Sequence, residues 1–66
     1  MINSKDFVES LDKGLAIIEA FDTAASRLTL SEVAARVGIT RAAARRFLLT
    51  LTELGYARMD ERHFSL

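Results

Sequence analysis

The side chains in this sequence best equipped for chemistry are Arg41, Arg45 and Arg46, set in the run GITRAAARRFLLTL from Gly38 to Leu51. A guanidinium is a planar fork of donors that keeps its charge at any physiological pH. It grips phosphate and other flat acceptors through paired hydrogen bonds. Between these arginines stand Ala42, Ala43 and Ala44, whose side chains are too short to hold an approaching surface away. The run has two readings. Alanine and arginine are strong helix formers, so it suits an ordinary solvated helix face. It equally suits a helix made to come close to a polyanion. Arg58 and Arg62, further along, carry the same two readings.

Other chemistry is missing. There is no glycine-rich phosphate loop, no nucleophile beside a base, and no pair of carboxylates in a plausible pocket, so an enzyme has nothing to rest on. One histidine, His63, with no cysteine in the chain, does not make a metal site. No cofactor is implied.

The composition bounds the rest. At 66 residues the chain is one small domain, and a domain of that size buries only about 60% of its unfolded surface. Half of the residues are hydrophobic and none is cysteine, so the core must come from packed helices or a partner chain rather than disulfides. No apolar run is long enough to span a membrane, and the start does not read as a signal peptide, which makes a cytoplasmic protein the default expectation. Net charge is zero but polarised. Up to Ala35 three basic residues face six acidic ones, whereas from Arg36 onward six basic residues, all arginine, face three acidic ones. Such asymmetry between halves hints at a polyanionic partner.

The elements that must position the arginines can be read in order. Met1 to Glu9 reads as an arm and residues 10–66 as the folded domain. Ser10 is the expected N-cap of a first helix, with Asp12 in its first turn. Leu11, Leu15, Ile18 and Phe21 recur at helical spacing, and Ile17 and Ala20 widen that stripe. A close helix crossing would account for Gly14. Thr29 and Glu32 form a T-x-x-E capping box opening a short second helix. Its inward face is Leu30, Val33, Ala34 and Val37, and Gly38 supplies its left-handed end. Thr40 then caps a third helix with the apolar stripe Ala44, Phe47, Leu48, Leu51 and Leu54, ended by Gly55. Tyr56 to Met59 and His63 to Leu66 read as a β-hairpin around the polar turn Asp60 to Arg62. Leu28 to Leu30 offers a third short strand, and Tyr56 is expected behind the third helix.

Two amphipathic helices joined by Gly38, Ile39 and Thr40 form a helix-turn-helix. The fold class is therefore mainly α with a small β-hairpin, a three-helix winged helix-turn-helix. In that unit the second helix enters the DNA major groove with its N-terminal residues at the base edges. Position thus favours the polyanion reading of the arginines. Arginine can bond guanine as a fork, and an alanine methyl can touch thymine. Thr40 and the free amides at the helix start can take a phosphate. The candidate DNA contacts are Thr29, Thr40, Arg41, Ala42, Ala43, Arg45 and Arg46, with Arg58 and Arg62 on the hairpin. The rival is a winged helix used for protein–protein contact without DNA.

With these pieces in place, SLDKGLAIIEAF, LTLSEVAARVGITRAAARRFLLTLTELGYA and the closing HFSL resemble the N-terminal winged helix-turn-helix domain of IclR-family bacterial transcriptional regulators. The wording TRAAARRFLLTL looks most like the branch controlling protocatechuate and p-hydroxybenzoate catabolism. The resemblance runs from about Ser10 to Leu66. It implies a recognition helix over about residues 40–54, a wing over about 56–66, and a homodimer or dimer of dimers on palindromic operator DNA. It also implies a larger C-terminal domain, absent from this chain, that binds a small aromatic-pathway effector. Thr40, Arg41, Ala42, Ala43, Arg45 and Arg46 match the family's recognition helix, and Arg58 and Arg62 match its wing. The family usually has glycine at the hairpin tip, where this sequence has DERH.

Overall fold

A computed structural model describes all residues, Met1–Leu66. It contains α1 (Glu9–Ala20), β1 (Leu28–Thr29), α2 (Leu30–Val37), α3 (Arg41–Glu53), β2 (Arg58–Asp60) and β3 (His63–Ser65). The strands form one antiparallel sheet in the order β1-β3-β2. This is the three-helix winged arrangement, and the third strand expected near Leu28 is present.

Local chemistry sets the ends of α2 and α3. Thr29 is extended, its Oγ1 accepts from the Glu32 N–H at 3.2 Å, and its own N–H donates to Glu32 Oε1 at 2.8 Å, so both halves of the capping box exist. Gly38 then adopts φ 79° and ψ 36°, which an L-residue reaches only at a cost. The Ile39 N–H turns back to the Ala34 carbonyl at 3.1 Å, the wider bond of a Schellman ending. Thr40 is extended and accepts from the Ala43 N–H at 3.1 Å, starting α3 at once. At the far end, Gly55 takes φ 89° and the Tyr56 N–H donates to the Leu51 carbonyl at 2.8 Å.

The core is apolar throughout. Ile17 and Phe21 of the α1 region, Leu28 of β1, Val33 and Ala34 of α2, Ala44 and Leu48 of α3, and Phe64 of β3 form one cluster with no buried polar side chain. Leu30, Val37, Phe47 and Leu51 pack on its edge. The sheet joins the core through one face, because Phe64 sits in register with Leu28 on one side and Met59 on the other. Two contacts tie segments far apart in sequence. Arg36 donates from a guanidinium nitrogen to the Ala20 carbonyl at 3.4 Å, at the negative end of α1. Arg27 pairs with Asp60 across 3.7 Å.

Five expectations need correction. Ser10 does not cap α1. The helix begins at Glu9, two residues earlier than a Ser10 cap would start it, after an extended Val8 with no side-chain cap. Of the stripe Leu11, Leu15, Ile18 and Phe21, only Phe21 joins Ile17 in the core; Ile18 is half-buried, and Leu11 and Leu15 stay 60% and 50% exposed. Gly14 marks no close crossing, since a Cβ built there would meet nothing within 4 Å. Tyr56 does not pack behind α3, and Leu54 lies beyond its last turn; they are 67% and 65% exposed.

Candidate nucleic-acid interface

The outer side of α3, the start of α2 and the hairpin enclose one open groove. Arg41, Arg45 and Leu49 line it from α3, Thr29, Leu30 and Ser31 from the start of α2, and Met59, Glu61, Arg62 and Phe64 from the hairpin. Leu30, Leu49, Met59 and Phe64 give its lining an apolar part, and three of the other lining residues are arginines. The helical period explains the α3 contribution. Residues four apart lie on one face, so Arg41, Arg45 and Leu49 form a row, while Ala44 and Leu48 face the core.

The same geometry divides the sequence candidates. Arg41, Arg45 and Arg62 come together at the groove, joined by Thr29. Arg46 is exposed but does not line it, because each successive residue turns about 100° around the helix. Arg58, on the outer edge strand β2, is exposed and also lies outside it. Ala42 is exposed and Ala43 half-buried on α3. The oxygens of Thr29 and Thr40 already accept backbone N–H groups as caps, leaving each hydroxyl its single proton to donate. At the start of α3 the cap occupies the Ala43 N–H, and Arg41 and Ala42 carry the remaining first-turn amides. None of Arg41, Arg45, Arg46, Arg58 or Arg62 forms an ion pair within the chain. Arg27 and Arg36, by contrast, are spent on internal contacts.

Ser31 and Leu49 belong to the groove, and Glu61 stands in it as its only carboxylate. Sequence reasoning passed over all three. Leu49 was open to it, continuing the four-residue spacing from Arg41 and Arg45. Glu61 carried a weaker signal, standing where glycine is usual. It has φ 56°, the only positive φ at a non-glycine residue. With Asp60 opposite His63, only Glu61 and Arg62 connect the strands, and such a short connection favours glycine where φ is positive. One carboxylate elsewhere is perturbed. Glu32 is held below the usual range chiefly by the Thr29 backbone N–H.

Two helices joined by the short turn Gly38 to Thr40, the second presenting an arginine row, with a short sheet beside them, make a winged helix-turn-helix. Residues 10–61 match the model of the IclR helix-turn-helix domain, and the chain belongs to that family, the DNA-binding domains of transcriptional regulators. It is 49% identical over 98% of its length to the p-hydroxybenzoate hydroxylase transcriptional activator of Acinetobacter baylyi. It is 47% identical over its whole length to the Pca operon regulatory protein of the same organism. These relatives place it with the aromatic-acid branch. The chain spans about a quarter of their length, 24% of each. Among solved structures, it superposes with a TM-score of 0.88 and 55% identity on a candidate transcriptional regulator of Rhodococcus sp. RHA1, covering 91% of this chain and 24% of that one.

Proposed function

We propose that this chain is the sequence-specific DNA-binding domain of a bacterial regulator of aromatic-acid catabolism, working as a homodimer on a palindromic operator. The observation that carries the proposal is the row of unpaired arginines on α3, Arg41 and Arg45, facing the same groove as Arg62 of the wing. In this reading α3 enters the major groove. Ala42 and Ala43 permit close approach, and Arg41, Arg45 and Arg46 divide between base edges and phosphates. Thr29, Thr40 and the first-turn amides of α3 meet the backbone. Arg58 and Arg62 follow the backbone or adjacent minor groove.

The relatives' names support the metabolic setting, and their greater length suits a companion domain that receives a small aromatic-pathway effector. Two recognition helices about 34 Å apart are needed for half-sites one turn apart. The exposed row Leu11 and Leu15 on α1, with Phe7 and Val8 exposed just before the helix, supplies an apolar face for the second copy. The cytoplasm, where the chromosome lies, is the matching location.

A mobility shift of the 66-residue chain with bulk genomic DNA across a salt series tests the proposal. Retardation at about 50 mM salt that fades toward about 200 mM is expected. No retardation at the low-salt end would favour a winged helix that binds protein instead.

A further inference from the structure

The basic groove contains a contradiction. Glu61 lies among Arg41, Arg45 and Arg62, yet it has no ion-pair partner within 4 Å. The neighbouring wing carboxylate, Asp60, is balanced by Arg27 at 3.7 Å. Glu61 is also held in a left-handed backbone conformation at φ 56°, where glycine would sit with less strain and no charge. The two-residue connection therefore keeps an unpaired carboxylate on the lining of a groove whose other charged residues are arginines.

We propose that Glu61 is a repulsive element of the DNA-binding surface, a built-in counterweight that weakens docking of duplex phosphates in this groove. The inference rests on the DNA-binding reading above and adds a residue to it. Attraction to duplex of any sequence comes almost entirely from phosphate contacts, whereas retention at a particular sequence also draws on base edges. A carboxylate lining the same groove as the arginines subtracts from the first contribution, so that residence on DNA depends on the contacts α3 makes to bases. Repulsion used this way is a general route to selective binding.

The test measures binding of the 66-residue chain and its variants to a labelled mixed-sequence duplex by fluorescence anisotropy, between about 50 and 200 mM KCl. Glu61→Gln removes the charge and keeps the size. It should bind about three- to fivefold more tightly at low salt, an advantage that shrinks as salt rises. Glu61→Asp keeps the charge and should stay close to the parent. A Glu61→Gln protein that binds no more tightly would overturn the proposal. So would a Glu61→Asp protein that gains as much as Glu61→Gln, since geometry rather than charge would then be responsible. A parent chain that fails to bind the duplex at all would instead overturn the DNA-binding reading beneath it.

Discussion

At the scale of single residues, the side chains with the clearest duties are those at chain reversals. Thr29 and Glu32 satisfy each other's backbone N–H groups, and Thr29→Ala should cost about 1 kcal/mol of stability, read as a lower melting temperature. The pairing also gives a pH signature. Because the Thr29 N–H lowers the Glu32 pKa in the folded state, the stabilisation is fully present above the ordinary glutamate value. It is lost as pH falls through the folded value. Chemical denaturation from pH 7 into the acid range should show Glu32→Gln losing less stability on acidification than the parent. The turn residue Glu61 is the opposite case, and Glu61→Gly should raise stability by about 0.5–1 kcal/mol by removing left-handed strain, a rise of several degrees in melting temperature. Reciprocal caps were legible because both partners lie within four positions of each other. Ser10 misled because a capping residue must itself be extended, and that depends on the chain before it, where Val8 took the role.

At the scale of elements, α3 separates holding from presenting. Ala44 and Leu48 are fully buried, whereas Arg41, Ala42, Arg45 and Arg46 are exposed. A bulky residue at Ala42 should therefore leave the fold intact and spoil close approach. Ala42→Leu is expected to change the melting temperature by only a degree or two while weakening binding to DNA tenfold or more, about 1.4 kcal/mol, measured by anisotropy on the same duplex. An unchanged affinity would remove Ala42 from the interface. The helix-turn-helix itself was legible because its spacing, caps and glycine end are all local. For α1 the outcome was different. Its apolar stripe of Leu11, Leu15 and Ile18 is widened by Ile17 and Ala20, and Phe21 follows the last turn. Periodicity identifies such a stripe but does not say which part of it meets α2 and α3. Nor does it show which arginines converge: Arg62 reaches the row of Arg41 and Arg45 only because β3 pairs with β1, which runs straight into α2.

At the scale of the whole molecule, zero net charge conceals an arrangement. Internal contacts absorb Arg27 and Arg36, while the arginines of α3 and the wing remain unpaired. The exposed row on α1 belongs to this scale as well. Sedimentation should show concentration-dependent self-association of the 66-residue chain that Leu11→Ser with Leu15→Ser abolishes without lowering the melting temperature. A parent that stays monomeric at millimolar concentration would mean that this face does not hold the pair together. The central claim is that the arginines of α3 bind DNA, and the most direct measurement compares Arg45→Ala with the parent on a duplex obtained by selection from random sequence and on unselected duplex. Loss of about 1–3 kcal/mol on the selected duplex alone is predicted if Arg45 reads a base; if it holds a phosphate, both duplexes weaken alike and the salt slope falls by about one. Unaltered affinity for both duplexes at low salt would contradict the account.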